Sequence, residues 1–352
     1  MIAMKIAQVA PLYERVPPKR YGGIERVVSY LAEELVRQGH EVTLFASGDS
    51  QTSGELVACC PRAIREFENW VDPIAFHALQ LNQVFERKFD IVHFHIEYLA
   101  FPFSRIFPQS SVTTLHGPLP DMPDLFRAFR DLPLVSVSDA QRAPFPFANW
   151  RKTVYHGLPD NLYTFRSKPG EYLAFLGRIA PEKGCDIAIA ITKDTGIPLK
   201  IAAKIDPYDQ PYFDAKIRPL LDDPLVDFIG EIGEHEKNEF LGNALALLFP
   251  IDWEEPFGLV MIEALACGTP VVAYRHGSVP EIIDHGSIGF VVDSFDAAVE
   301  GVQNVHSVNR YYCRESFETR FTAKRMAEEY ISVYRDLVAA KIIPNIKTSI
   351  EA

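Results

Sequence analysis

The chain has 352 residues, 47% hydrophobic and 23% charged, with a formal net charge of −12. That length exceeds one ordinary core and favours two domains. The acidic balance argues against a nucleic-acid partner, whose binders present a basic face, and no apolar run approaches the roughly 18 residues that span a bilayer.

In chain order, short apolar runs alternate with amphipathic stretches, the signature of strand–helix repeats around parallel sheets. The opening segment, MIAMKIAQVAPLY, reads as a first core strand and not as a secretory signal. Strands are expected at 5–10, 41–46, 90–94, 111–115 and 134–137. Between the first two, apolar residues at 24, 27, 28, 31, 35 and 36 give helical spacing over 24–38, with Gly39 placed to end the helix. The stretch 54–84 is assigned only loosely to strand and helix. In the second half, strands are expected at 172–176, 199–203, 226–229, 244–249, 270–273 and 289–292. Helices fill the gaps at 186–194, 212–221, 237–243, 259–266 and 297–305, and a last one follows at 322–340. The pattern predicts two doubly wound α/β domains, 1–160 and 161–319, joined near 157–170 with a cleft between them. A C-terminal helix over 320–345 would pack back on the first. In open parallel sheets the ligand sits beyond the carboxyl ends of the strands, so strand-to-helix loops should carry the site. Five cysteines without metal-ligand spacing read as reduced thiols of a cytoplasmic protein.

Four loop segments carry the chemistry. In PIDWEEPFGLVMIEALACGTPVVAY, residues 250–274, Pro256 is expected to open a helix. The free N–H groups of Phe257, Gly258, Leu259 and Val260 would then face a phosphate or sugar. Glu255 and Glu263 would lie about 12 Å apart along that helix, a separation that suits the two ends of a nucleotide sugar. Spacing alone also suits two ordinary acids near a helix start. FLGRIAPEKG, residues 175–184, places Arg178 and Lys183 on a loop. There they could neutralise a diphosphate, or form a solvated pair with Glu182. KRYGGIERVV, residues 19–28, sets Gly22 and Gly23 between the first strand and first helix, and VTTLHG ends a strand at His116. His116 could orient a sugar or an acceptor hydroxyl, or be a core histidine. His93 and His95 share a strand face without an evident third ligand, so no metal site is expected.

The absences narrow the field. The chain contains no Gly-x-Gly, no phosphate-loop lysine motif, no Gly-x-Ser-x-Gly turn and no Asp-x-Asp pair. Side-chain cations, and not a metal or other cofactor, are therefore expected to meet a diphosphate.

Together these segments resemble the family 4 retaining glycosyltransferases of the GT-B fold. The family's Glu, seven residues, Glu phrase stands here as EPFGLVMIEALACGTPVVA, and FLGRIAPEKG, YGGIERVVSYLAEELVRQGHEVTLF, FDIVHFH, LVSVSD, VYHGLP and GSVPEIIDHGSIGFVV also match, across residues 4–340. The resemblance implies two Rossmann-like domains facing a cleft, and transfer of a sugar from a nucleoside-diphosphate sugar to a hydroxyl acceptor, glycan, lipid or small molecule. It implies that Glu255 meets the donor sugar, Glu263 the ribose, and Arg178 and Lys183 the diphosphate. Backbone of Phe257–Val260 with Gly22 and Gly23 would complete the cradle. His116 would lie near the sugar or acceptor, and Ile232 would meet the base. Relatives often carry glycine where Ala203 stands. The rival readings are a GT-B-type epimerase or phosphorylase, or a non-catalytic nucleotide-sugar binder. The segment 124–130, DLFRAFR, is amphipathic and is either a weak membrane contact or an ordinary surface helix.

Overall fold

The computed structural model describes residues 3–350. It divides into two units, residues 1–157 with 323–352, and residues 158–322. Each is built on one all-parallel sheet, buried on both faces as parallel sheets require.

The first unit holds β1 (Lys5–Val9), β2 (Glu41–Ser47), β3 (Glu55–Cys60), β4 (Ile91–Phe94), β5 (Ser110–Thr114), β6 (Leu134–Ser136) and β7 (Trp150–Thr153), in the spatial order β3-β2-β1-β4-β5-β6-β7. Strand order reverses between β1 and β4, so loops following those two strands open a crevice. Helix Gly23–Arg37 buries Val27, Val28, Leu31, Ala32 and Leu35 on one stripe. It stops where Gly39 turns left-handed at φ 88°. The loosely assigned stretch is β3 followed by helix Pro73–Phe85, with Asp72 capping the Ile74 N–H. The final helix, Ala323–Ile350, belongs to this unit. Its Tyr330 and Tyr334 are buried beneath the sheet's histidines.

The second unit holds β8 (Tyr172–Arg178), β9 (Leu199–Lys204), β10 (Val226–Gly230), β11 (Ala244–Phe249), β12 (Val271–Tyr274) and β13 (Gly289–Val292), ordered β10-β9-β8-β11-β12-β13. Here the reversal falls between β8 and β11. Leu173, Phe175, Ile201, Leu245 and Leu248 form its core with helices Cys185–Thr195 and Phe295–Asn304. The predicted helix over 212–221 is instead broken. One turn at Gln210–Tyr212 passes into a π-type stretch, Phe213–Ile217, and a 3₁₀ turn, Arg218–Leu220. Pro219 has no N–H to continue an α-helix.

Helix Arg310–Arg320 has no counterpart among the predicted elements. Cys313 and Phe317 are its buried apolar residues, and its anchor is polar. Arg310, 5% exposed, donates to the carbonyls of Arg166, Gly242 and Ala244 and to Thr269 Oγ1, at 2.7–3.0 Å. Among the described residues no helix is long and apolar enough to cross a membrane. Arg310→Met orphans four buried acceptors and should destabilise the second unit by on the order of 3 kcal/mol, measured as a lower denaturant midpoint. An unchanged midpoint would show that the network adds nothing.

Candidate active site

In the second unit, two loops flank the strand-order reversal. Arg178 is the last residue of β8, not a loop residue, and Lys183 closes the 3₁₀ turn Pro181–Lys183 just beyond it. That turn is tied to the loop after β11: the Asp252 N–H donates to the Glu182 carbonyl at 2.9 Å. The tie brings Lys183 Nζ within 2.7 Å of Glu255 Oε2, with the two side chains only 19% and 12% exposed. The Trp253 Nε1–H donates to the same oxygen at 3.1 Å, and Lys183 Nζ lies 4.2 Å from the centre of its ring.

Glu255 is held from behind by a third loop, the one after β12. The Ser278 N–H donates to the Glu255 carbonyl at 3.0 Å, and the Gly277 N–H to Glu254 Oε2 at 2.7 Å. Gly277 sits at φ 53°, and a Cβ there would lie 2.3 Å from the Glu255 carbonyl oxygen. Only glycine fits that approach.

The helix predicted to open at Pro256 begins instead at Leu259. Gly258 is left-handed, φ 79° and ψ 68°, which no helical residue adopts and which delays the start by a turn. Glu255 therefore stands on the loop and Glu263 in the second turn of helix Leu259–Ala266, and the axial rise expected for a shared helix does not apply. The first-turn N–H groups of Leu259 and Val260 receive no side-chain cap. The Phe257 side chain is core, 2% exposed, and its carbonyl accepts the Ser278 hydroxyl at 2.8 Å.

Arg178 is not paired with Glu182 alone. Its guanidinium reaches Asp209 Oδ2 and Glu182 Oε1, each at 2.7 Å. Glu263, 3% exposed, has its own lysine: Lys237 Nζ, on helix Glu234–Gly242, lies 2.7 Å from its Oε1. Ile232 stands in the loop leading into that helix. The structure thus joins Lys183 to Glu255 directly, with Trp253 as a third member, and gives Glu263 a separate cation.

Gly22, Gly23 and His116 belong to the first unit. Gly22, at φ 138°, is the residue before helix Gly23–Arg37, with the buried Glu25 carboxylate close by. Burial pushes the Glu25 carboxyl up to about 7. His116 follows β5 and is 7% exposed. Its Nε2 meets His95 Nδ1 at 2.8 Å, and its ring stacks on His156 with centroids 5.2 Å apart. His95 continues to Gln8 Oε1 at 2.7 Å, and His93 bonds Tyr334 and Thr114, each at 2.7 Å. Burial holds His116 down to about 3 and keeps His93, His95 and His156 well below the usual imidazole range. All four are neutral near pH 7. Among the described residues no cluster of three histidine, cysteine, aspartate or glutamate side chains is arranged to hold a metal ion.

Glu97 was not singled out by its sequence. It follows β4 at φ 52°, the one non-glycine residue with positive φ among those described. Its Oε1 accepts the backbone N–H groups of His116 and Gly117, both at 3.0 Å. Burial, the larger influence, pushes its carboxyl up to about 7 against those two hydrogen bonds. Lys237, Trp253, Asp209 and Gly277 were likewise missed. Each matters through a partner distant in sequence or, for Trp253, through a rotamer no spacing reveals.

Residues 164–310 match the model for glycosyl transferases group 1, and residues 21–195 the model for Glycosyltransferase Family 4. O-antigen chain mannosyltransferase C of Escherichia coli is 22% identical over 95% of this chain and 100% of its own length. A phosphatidyl-myo-inositol mannosyltransferase of Propionibacterium freudenreichii is 28% identical over 81% of each. Among solved structures, AviGT4, a glycosyltransferase involved in avilamycin A biosynthesis, superposes with a TM-score of 0.74 at 26% identity, covering 96% of this chain and 98% of its own. Anabaena HepE in complex with UDP and glucose gives a TM-score of 0.72 at 17% identity over 95% and 100%. Two family models spanning residues 21–310 between them, and two parallel-sheet units of the expected kind, show that this chain belongs to the family 4 glycosyltransferases of the GT-B fold.

Proposed function

We propose that this glycosyltransferase moves a sugar from a nucleoside-diphosphate sugar to a hydroxyl acceptor with retention of configuration and without a metal. The observation that carries the reading is the Lys183–Glu255 pair, set at the loops where strand order reverses, with Arg178 at the end of the strand that leads into the Lys183 turn. In such a site the two cations take the diphosphate, Glu255 meets the sugar hydroxyls and Glu263 the ribose. The Leu259 and Val260 N–H groups face the phosphates, and Ile232 offers its backbone to the base. HepE, solved with UDP and with UDP-glucose, supports a nucleotide-sugar donor. The second unit is then the donor side and the first, with Gly22, Gly23 and His116, the acceptor side. The acceptor oxygen bonds to the anomeric carbon as the carbon–phosphate oxygen bond breaks on the same face. The acceptor's proton passes to the departing phosphate oxygen, so no protein base is needed. The protein's contribution is positioning and stabilisation of the leaving group. The five cysteines, all free and buried, suit a reducing, cytoplasmic setting.

Three outcomes check this reading. Thermal melting with UDP, GDP and ADP should rise for one of them, equally with and without EDTA. A shift abolished by EDTA would replace the side-chain cations with a metal. Lys183→Ala should lower kcat by about 100-fold or more, as loss of one electrostatic stabiliser does, and wild-type turnover would remove Lys183 from the leaving-group role. Glu97, buried neutral and charged only at a cost, should make the first unit lose stability as pH rises from about 4.5 through about 7. Glu97→Gln, which keeps an acceptor for both N–H groups, should flatten that fall, and identical pH–melting curves would count against it.

A further inference from the structure

The carboxylate that meets the donor sugar in this reading is aimed by a residue outside the family phrase. Glu255 Oε2 accepts from two donors at once, Lys183 Nζ at 2.7 Å and Trp253 Nε1 at 3.1 Å. The same ammonium sits 4.2 Å from the centroid of the Trp253 ring. One indole thus engages both members of the ion pair, the carboxylate by its edge and the ammonium by its face. Trp253 lies on the loop between β11 and helix Leu259–Ala266, half-buried and outside the hydrophobic core of its unit. The two contacts have different fates when a diphosphate arrives. A diphosphate carries more negative charge than one carboxylate and presents several acceptor oxygens, so it competes for the ammonium. The indole N–H is a neutral donor, already bound to a carboxylate two residues away, and gains far less than the ammonium by exchanging partners.

We propose that Trp253 is a positioning residue that holds Glu255 in place while Lys183 exchanges its carboxylate partner for the donor's diphosphate. The inference rests on the donor reading of Glu255 and Lys183. It adds that the lysine is paired with the sugar-binding carboxylate until a donor arrives, and that filling the diphosphate position releases Glu255 from its cation without releasing its orientation.

Trp253→Phe keeps a ring face for the ammonium and removes the N–H. With UDP, GDP and ADP as binding probes, the variant should keep Kd within about twofold of wild type. With the matching nucleotide sugar, kcat for donor cleavage by water should fall about tenfold, as loss of one hydrogen bond to a charged group predicts. Trp253 is one of three tryptophans. The wild-type emission minus that of the variant should therefore change when the diphosphate binds and the ammonium leaves the ring. Unchanged kcat in Trp253→Phe overturns the positioning role. A raised Kd together with a lower kcat and a lower melting temperature would make Trp253 structural and overturn it equally. A difference emission indifferent to a diphosphate that does bind overturns the exchange. If wild-type protein binds none of the three nucleotides, the donor reading fails first, a result separate from any effect of the variant.

Discussion

A lysine and a glutamate 2.7 Å apart, both largely withdrawn from water, are the constraint on which the second unit's loops converge. Neither charge would be tolerated alone there: removing one partner of a buried pair leaves the other uncompensated. Three loops collaborate to keep them together. The turn after β8 supplies the ammonium, the loop after β11 the carboxylate, and the turn after β12 presses a glycine against the carboxylate's backbone. The pair stands at a strand-order reversal, where neighbouring loops diverge and leave room for a ligand.

Much of this was legible in the sequence, for identifiable reasons. Central strands of parallel sheets are continuous apolar runs, so β1, β2, β9 and β11 fall within a residue of their expected bounds. The edge strand β7, WRKT, lacks that signature, because one flank goes unpaired and polar Arg151 and Lys152 are accommodated. Helix Arg310–Arg320 escaped because its anchor is a buried arginine, which hydrophobic periodicity counts as surface. The glutamates and cations of the site were visible as residues but not as a geometry. A single left-handed glycine, Gly258, moved the helix start past Pro256 and separated the two acids into a loop and a helix. The partners that complete the site were beyond reach, since Lys237 meets Glu263 across 26 positions and Asp209 meets Arg178 across 31.

The first unit solves a different problem. Its strand ends carry four histidines whose burial keeps them neutral; His93, His95 and His116 join Gln8, Thr114, Tyr330 and Tyr334 in one hydrogen-bonded seam, and His156 stacks on His116. A seam of neutral donors and acceptors fixes ring orientations without bringing charge into the interior. Glu97 extends the seam to the backbone of the His116 loop, at a φ that only tertiary contacts can hold. His116 thus arrives at its strand end already oriented.

That seam closes only when Tyr330 and Tyr334 are in place, and both lie on the helix that starts at Ala323, after the whole second unit has been traversed. The first unit is discontinuous in the chain, whereas the second is one unbroken stretch. During synthesis from the N-terminus, Gln8, His93 and Thr114 of the earlier-made unit must wait for their tyrosine partners until the helix from Ala323 leaves the ribosome. The later-made unit can mature ahead of it.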